Sequence, residues 1–466
     1  MKERNSFGGS IGFVLAAAGS AVGLGNIWRF PYFAAKDGGG LFLFIYIILL
    51  LTFGFALLTT EVAIGRKTKQ GPLSAYDKIR KGWKPLGIIS CLVPIIIMPY
   101  YCVIGGWVVK YCIAFLTGDG AKAAEDGYFT DYITGTTSPL VLTIVFLLAC
   151  TVIIVLGVNK GIEASSKVIM PVLIVLVLII SVFALTITHT DAEGVTRTGL
   201  QGLKVYLIPN FTGVTLGGFI TIVVDAMGQL FFSLSVAMGI MIAYGSYLSD
   251  DTNLTKSVVQ IQIFDTAIAF FAGVMIIPAV FAFAGAEGMS AGPGLMFVSL
   301  PKIFSAMGGI GIFMGALFFI MVLFAALTSA ISVMEAVVSS FMDEFHVSRR
   351  KAALIECGIA LVGGIIVCLG YNSLYFEAAL PTGTTGQILD IMDYISNNLL
   401  MPACAILTCI LIGHVAKPKY ILDEITKNGE HFRFTGMYNV MIKYIAPVLL
   451  FFLLLDSAGV LRLFHH

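Results

Sequence analysis

Glycines and a proline interrupt the first apolar segment of the chain, where a membrane-crossing helix would be continuous. Within the apolar run 10–35, the stretch GSAVGLGNIWRFP (residues 19–31) contains three glycines, an asparagine, an arginine and a proline. A helix in lipid pairs every backbone N–H and C=O internally, so freed carbonyls are tolerated only where they line a cavity. Such carbonyls are good ligands for a hard cation. The pattern therefore predicts a broken helix of the kind that ion-coupled transporters use.

The composition is that of a membrane protein. Hydrophobic residues make up 58% of the chain and charged residues 12%, whereas soluble domains carry about 25% charged residues. The mean hydropathy is +0.95. Apolar runs of about 18 residues or more predict eleven membrane helices. These are residues 10–36, 41–65, 88–116, 138–157, 168–187, 217–247, 258–284, 310–341, 352–371, 387–413 and 439–462.

The distribution of lysine and arginine predicts the orientation of these helices. Twenty of the 28 lysines and arginines fall in segments that are cytoplasmic if the N-terminus is cytoplasmic, and cytoplasmic loops are enriched in these residues. We therefore expect a multi-pass protein of the plasma membrane. Its N-terminus would be cytoplasmic and, after eleven helices, its C-terminus extracellular.

A second interruption lies five helices after the first. The sixth predicted helix contains GQLFFSLSVAMG, Gly228–Gly239, and two interruptions at corresponding positions predict inverted repeats with a site between them near the midplane. The expected fold is an all-α polytopic membrane protein with eleven transmembrane helices, two inverted five-helix repeats, and breaks in helices 1 and 6. The expected organisation is a cytoplasmic N-terminal segment 1–9, a first repeat 10–187, an extracellular loop 188–216, a second repeat 217–413, a cytoplasmic loop 414–438, and the eleventh helix with an extracellular C-terminus 439–466.

Motifs along almost the whole chain resemble the neurotransmitter:sodium symporter family. Besides residues 19–31 they are EVAIGR (Glu61–Arg66), the pair Tyr100–Tyr101, FFSLS in helix 6, AALTS (Ala325–Ser329) and LDIMDY in helix 10. Eleven helices and a short loop after helix 3 resemble the bacterial amino-acid transporter branch of the family. The resemblance implies a sodium-coupled symporter working by alternating access, and not an enzyme.

The resemblance also implies two sodium sites and no organic cofactor. The second sodium site would use Gly19, Val22, Ala325, Thr328 and Ser329, the first three through their carbonyls. The first sodium site would use Ala21, Asn26, Ser233, Asp265 and the carboxylate of the substrate, so that ion and substrate favour each other's binding. An alternative for Thr328 and Ser329 is that their hydroxyls only bond back to helix carbonyls.

Asp265 departs from the family pattern, which commonly has asparagine at this position. Chloride-dependent members bind chloride beside the first sodium, and the corresponding region here holds Tyr46, Gln229 and Ser233, with Ala269 in place of a hydroxyl residue. Asp265 lies four residues before Ala269, on the same helix face, and could supply the negative charge that chloride brings elsewhere. This predicts chloride-independent transport; the alternative is a structural aspartate.

The residue at position 23 indicates the substrate class. Monoamine carriers of the family have an aspartate there, whereas Gly23 offers no charge, so the substrate would bring its own carboxylate. By resemblance, the substrate pocket would be lined by Ser20, Ala21, Gly23, Gly25, Ile97, Tyr101, Phe232, Ser233, Ser235, Met238, Ser329 and Val333. Met238 replaces a bulky aromatic residue and methionine adapts to several shapes, which favours hydrophobic or aromatic L-amino acids. The alternative is that Met238 only packs in the core.

Two sets of residues resemble the gates of the family. The outer gate would comprise Arg29, Asp393, Tyr101 and Phe232, and the inner gate Arg4, Phe7, Tyr247 and Asp343. Gly161 and Pro171 resemble a motif linked to local unwinding of helix 5.

Other functions on this scaffold are kept as alternatives. They are a proton-coupled amino-acid carrier or exchanger, and a ligand-gated channel or receptor. The expected partners are a small-molecule amino acid and the lipid bilayer; neither nucleic acid nor an obligatory protein partner is expected.

Overall fold

Eleven membrane spans account for most of the described chain. The computed structural model describes residues 6–285, 288 and 292–460, and these contain ten helices long and apolar enough to cross a membrane, plus one bent helix pair. We call the bent pair, Ser10–Ala21 and Gly25–Lys36, span 1. Spans 2 to 5 are Gly40–Thr68, Lys84–Leu116, Thr137–Leu156 and Val158–Thr186. Span 6 is Leu216–Ser233 continued by Ile240–Ser246. Spans 7 to 11 are Leu254–Ala284, Gly308–Phe345, Arg349–Leu369, Ile388–Val415 and Thr435–Ser457. The predicted number of spans is confirmed.

Short elements occupy the connections. The helices are Pro72–Ile79, Gly120–Ala123, Tyr128–Thr134, Gly199–Leu207, Leu295–Ala306 and Lys419–Ile425. Strand β1 (Thr188–Thr190) pairs antiparallel with β2 (Thr196–Thr198), Thr188 opposite Thr198. Strand β3 (Ala378–Ala379) pairs antiparallel with β4 (Thr385–Gly386). Because both hairpins are confined to loops, the membrane part of the fold is all-α, as predicted.

Both predicted helix breaks are present. The two halves of span 1 meet at an angle of 55°. In span 6, Ser235 and Ala237 have φ angles of 52° and 62°, which side-chain-bearing residues adopt only at a cost of about 1–3 kcal/mol. The N–H of Ala237 donates to Glu61 Oε1 on span 2 at 2.6 Å. A backbone donor released by the break is thereby paired with a carboxylate, and this offsets part of the cost.

Span 5 begins ten residues before the predicted start at 168. The apolar run begins after Lys167, but the helix extends back to Val158 through polar residues. One turn apart, Glu163 Oε1 and Lys167 Nζ lie 2.7 Å from each other, and Glu163 Oε2 accepts a hydrogen bond from the N–H of Gly8 at 2.8 Å. These contacts stabilise the helix over its first, polar turns. Hydropathy alone does not reveal that the helix includes them.

The spans leave two faces at opposite ends of the bundle. We call the end with residues 6–9 the N-terminal face, and the end with residues 37–39 and 187–215 the hairpin face. Between them, the sides of the bundle expose large apolar side chains such as Val145, Val175 and Val362. An apolar belt of this kind is what lipid chains contact, so the two faces are the ends that meet water.

Candidate ion and substrate site

A narrow cavity lies between the two helix breaks; the empty space around it, including the part open to solvent, is about 400 Å³. It brings together all the residues predicted to form the substrate pocket. Its lining is Ser20, Ala21, Gly23, Leu24, Gly25, Asn26, Ile97, Tyr101, Phe232, Ser233, Ser235, Met238, Ile240, Ser329 and Val333. Sequence reasoning missed Leu24 and Ile240, although both adjoin residues of the broken segments. The cavity therefore joins spans 1, 3, 6 and 8, which are distant in sequence.

Two polar side chains of the cavity lining, Asn26 and Ser233, converge on the buried carboxylate of Asp265. Asp265 Oδ1 accepts hydrogen bonds from Asn26 Nδ2 at 2.7 Å and from Ser233 Oγ at 2.8 Å. Asp265 is fully buried, and within the described chain its Oδ2 has no hydrogen-bond partner. An unpaired carboxylate oxygen inside a membrane protein is costly. Carboxylate, amide and hydroxyl oxygens are the donors that a hard cation prefers, so this group fits a sodium ion.

A second group of oxygens surrounds the break of span 1. Ser329 Oγ donates to the carbonyl of Ser20 at 3.0 Å and lies 3.5 and 3.4 Å from the carbonyl oxygens of Gly19 and Val22. Thr328 Oγ1 lies 3.0 Å from the carbonyl oxygen of Phe324 and 3.2 Å from that of Ala325. Ser329 therefore contacts the span 1 carbonyls of the predicted second sodium site, whereas these contacts of Thr328 lie within its own helix. The same contacts also satisfy the hydroxyls within the helices, so the alternative role stays open.

The region where relatives would bind chloride adjoins the Asp265 group. Gln229 Nε2 donates to the carbonyl of Gly25 at 3.2 Å. Gln229 Oε1 and the Tyr46 hydroxyl are buried and have no hydrogen-bond partner among the described residues, and Tyr46 interacts electrostatically with Asp265. The one carboxylate of this region is therefore surrounded by neutral polar groups.

Two glycines of span 1 permit close approach of other spans. A Cβ at Gly23 would lie 2.7 Å from Ser329 Oγ and 3.3 Å from the Tyr101 hydroxyl. A Cβ at Gly25 would lie 2.6 Å from the ring of Phe232. The Tyr101 hydroxyl is buried without a hydrogen-bond partner in the described chain, which leaves a donor beside the break in span 1. Any side chain at position 23 would displace these groups.

The predicted outer gate residues lie on the hairpin side of the cavity. The Arg29 guanidinium carbon is 5.5 Å from the centroid of Phe232, whose ring also lines the cavity. Asp393 Oδ1 accepts hydrogen bonds from Tyr100 at 3.1 Å and Asn397 at 2.6 Å. Arg29 interacts electrostatically with Asp393, but in the described chain no ion pair within 4.0 Å joins them. Tyr100 and Asn397 were not predicted as gate residues, although each lies within one helical turn of a residue that was.

The predicted inner gate is described only in part, because Arg4 lies outside the described residues. The N–H of Phe7 donates to the carbonyl of Tyr247 at 3.2 Å, and the Tyr247 hydroxyl donates to Glu335 at 2.5 Å. Buried Glu335 pairs with Arg349. Sequence reasoning missed this pair, for which a glutamate inside span 8 is the available signal.

The remaining predicted residues of this part of the molecule are Asp343, Gly161 and Pro171. Asp343 Oδ2 accepts a hydrogen bond from the N–H of Gly71 at 2.5 Å. Span 5 is helical from Gly161 through Pro171. A Cβ at Gly161 would lie 2.0 Å from the carbonyl oxygen of Ile153, which explains a glycine there by packing. Unwinding of this segment stays a prediction.

Fold and site together define a polytopic transporter with a binding cavity between two broken helices. The chain belongs to the sodium:neurotransmitter symporter family, whose sequence profile matches residues 4–131 and 130–464. It is 32% identical to an uncharacterized sodium-dependent transporter, YhdH, of Bacillus subtilis over 97% of both chains. It is 31% identical to an uncharacterized sodium-dependent transporter of Methanocaldococcus jannaschii, over 98% of this chain and 92% of the relative.

A solved structure supports the same assignment. The crystal structure of MhsT in complex with L-phenylalanine has a TM-score of 0.84 and 33% sequence identity, and the match covers 98% of this chain and all of that one. The predictions of family, bacterial branch and fold class are confirmed. The chain is a sodium-dependent, multi-pass membrane transporter and not an enzyme.

Proposed function

We propose that this protein is a sodium-coupled symporter that imports hydrophobic or aromatic L-amino acids by alternating access, without chloride. The observation that carries the proposal is Asp265. It is a buried carboxylate with one unpartnered oxygen, grouped with Asn26 and Ser233 at the wall of a cavity. A fixed negative charge there neutralises a bound sodium ion and removes the need for a dissolved anion.

The polar end of the cavity fits the main-chain groups of an amino acid. The Tyr101 hydroxyl supplies an unpartnered donor, and the half-helices of spans 1 and 6 expose backbone groups at their breaks. Anions are favoured at helix N-termini. The substrate carboxylate would complete the first sodium site beside Ala21, which couples the binding of ion and substrate.

The rest of the cavity fits an apolar side chain. Its lining includes the apolar side chains of Ile97, Phe232, Met238 and Val333 and the hydroxyls of Ser20 and Ser235. These two hydroxyls bond each other at 3.3 Å, so they need no polar partner on the ligand. L-Phenylalanine is present in the MhsT structure, which supports the same substrate class here.

Alternating access follows from the position of the cavity between two sets of contacts. We assign the hairpin face to the outside and the N-terminal face to the cytoplasm, in line with the positive-inside rule. Arg29 and Asp393 would approach each other over Phe232 when sodium and substrate are bound. Release to the cytoplasm would need the contact between Phe7 and Tyr247 to open. The two halves 10–187 and 217–413 would move as the inverted repeats of this cycle.

Uptake into proteoliposomes tests the proposal. An inward sodium gradient is expected to drive accumulation of radiolabelled phenylalanine, tyrosine or leucine, while a potassium gradient does not. Replacing chloride by gluconate should leave the rate unchanged, because Asp265 supplies the charge. Loss of uptake in gluconate would contradict chloride independence. Accumulation driven by a pH gradient without sodium would favour a proton-coupled carrier, and ion currents far exceeding substrate flux would favour a channel.

The substitution Met238→Phe is expected to change the substrate preference. Met238 is buried at the apolar end of the cavity, so a rigid ring there takes space from an aromatic ligand. We expect phenylalanine uptake to fall about tenfold relative to alanine uptake, within the range for one size change in an apolar pocket. The control is Met342→Phe, on a half-buried methionine near the end of span 8. An unchanged uptake ratio would show that Met238 only packs in the core.

A further inference from the structure

A single lysine faces two carboxylates at the hairpin end of spans 1 and 6. Lys36, the last residue of span 1, places Nζ 2.7 Å from Asp225 Oδ2 on span 6. The same Nζ lies 3.8 Å from Asp37 Oδ1 on the adjoining turn. The pair Lys36–Asp225 thus links the two half-helices that border the outer side of the cavity. Asp37 is a second carboxylate that can compete for this lysine.

Asp37 is buried although it lies outside the membrane spans. Only 6% of the residue is exposed, and its Oδ2 has no hydrogen-bond partner among the described residues. Burial, together with the neighbouring charge of Asp225, raises the pKa of the Asp37 carboxyl to about 7, against the opposing effect of Lys36. Asp37 lines a surface cleft with the exposed residues Asn210 and Thr212. Protons can therefore reach it from solution.

The charged groups around Asp37 also interact with a residue of the predicted outer gate. The titratable groups that interact with Asp37 are Lys36 and Asp225, and Tyr32 interacts with Lys36. The helix Gly199–Leu207, which packs against the turn, carries Lys204 and Tyr206, and the loop 208–215 carries no titratable group. Arg29 interacts electrostatically with Asp225 as well as with Asp393. A charge gained or lost at Asp37 therefore changes the field on the arginine that closes the cavity.

We propose that Asp37 is a proton-binding site that regulates the outer gate. With Asp37 protonated, Lys36 forms an ion pair with Asp225 alone, and the outer halves of spans 1 and 6 stay joined. Loss of the proton adds a negative charge near Lys36, divides the lysine between two carboxylates and weakens the link. The inference rests on the proposed function, which places the hairpin face outside.

The direction of the pH effect follows from the closing step of the proposed cycle: the outer halves of spans 1 and 6 must close over bound sodium and substrate, and protonated Asp37 leaves Lys36 free to hold them together. Asp37 is neutral below about pH 7 and charged above it. Sodium-driven uptake should therefore fall about threefold as the external pH rises from about 6 to about 8, a size typical of the loss of a half-exposed ion pair. Asp37→Asn fixes the neutral state, so its uptake should stay at the acid level across this range.

The experiment is uptake into proteoliposomes at fixed internal pH and saturating sodium, with the external pH varied. Glu193→Gln is the matched control, because it removes an exposed carboxylate from the hairpin β1–β2 and should keep the parent profile. Asp225→Asn is the second variant: it removes the carboxylate with which Asp37 competes for Lys36, so its uptake should be low and independent of external pH.

Two results overturn the inference. One is a parent uptake rate that does not change with external pH; the other is an Asp37→Asn profile that matches the parent. If Asp37→Asn does not fold, an Asp225→Asn protein that keeps the pH dependence of the parent overturns it equally. If the parent shows no sodium-dependent uptake at any pH, the proposed function fails instead, and the two failures are thereby distinguished.

Discussion

Replacing Asp265 by asparagine is expected to raise the sodium concentration for half-maximal uptake more than about tenfold in chloride-free buffer. A tenfold change corresponds to about 1.4 kcal/mol, and charge-assisted contacts of a buried carboxylate are roughly twice as strong as neutral ones. Asparagine keeps the size of the side chain and one oxygen. The loss therefore reports the charge that faces the cation, not a change in packing. The measurement is initial uptake against external sodium.

A matched control for this variant lies elsewhere in the membrane. Glu356→Gln removes another carboxyl that is fully buried in span 9 and whose two oxygens have no hydrogen-bond partner in the described chain. In the described chain Glu356 has no hydrogen bond to the cavity-lining residues Asn26 and Ser233, which Asp265 binds, so the sodium dependence of this variant should match that of the parent. An Asp265→Asn protein with parental sodium affinity in gluconate would refute the role of Asp265 as the fixed charge of the first sodium site.

The substitution Gly23→Ala is expected to abolish substrate binding. The new methyl group would lie 2.7 Å from Ser329 Oγ, well inside contact distance, and 3.3 Å from the Tyr101 hydroxyl. Ser329 cannot move away without breaking its hydrogen bond to the Ser20 carbonyl. We expect affinity for phenylalanine to fall at least about 100-fold, since the methyl group occupies ligand space and also disturbs both predicted binding groups. The measurement is equilibrium binding of radiolabelled phenylalanine in saturating sodium.

Gly358→Ala supplies the comparison for Gly23→Ala. Gly358 lies inside span 9, and a Cβ there would meet no atom within 4 Å. Alanine favours a helix over glycine, so this variant should fold and bind as the parent does. Parental binding by Gly23→Ala would mean that the cavity between the breaks is not where the substrate sits.

Some properties of the protein follow from short stretches of sequence. The eleven spans are readable because lipid imposes a length and an apolar composition on each helix separately. The breaks in spans 1 and 6 are readable because glycine and proline weaken a helix locally. The residues that line the cavity could not be identified from local sequence in this way. Residues such as Ile97 and Val333 look like any other apolar helix position, and only their resemblance to family motifs singled them out.

The tertiary structure alone decided which side chains meet. Asp265 pairs with Asn26 and Ser233 from spans far apart in the chain, and Lys36 links to Asp225. Such contacts depend on how each helix is rotated and tilted against its neighbours. Composition and periodicity mark a buried charge as unusual but do not supply its partner. The grouping of Asp265 with Asn26 and Ser233 was predicted only through the family resemblance, and the link between Lys36 and Asp225 was not predicted. By itself the sequence therefore determined the membrane fold and the positions of its breaks, because those depend on local chemistry. Packing decided the geometry of the site, because it depends on many weak contacts acting together.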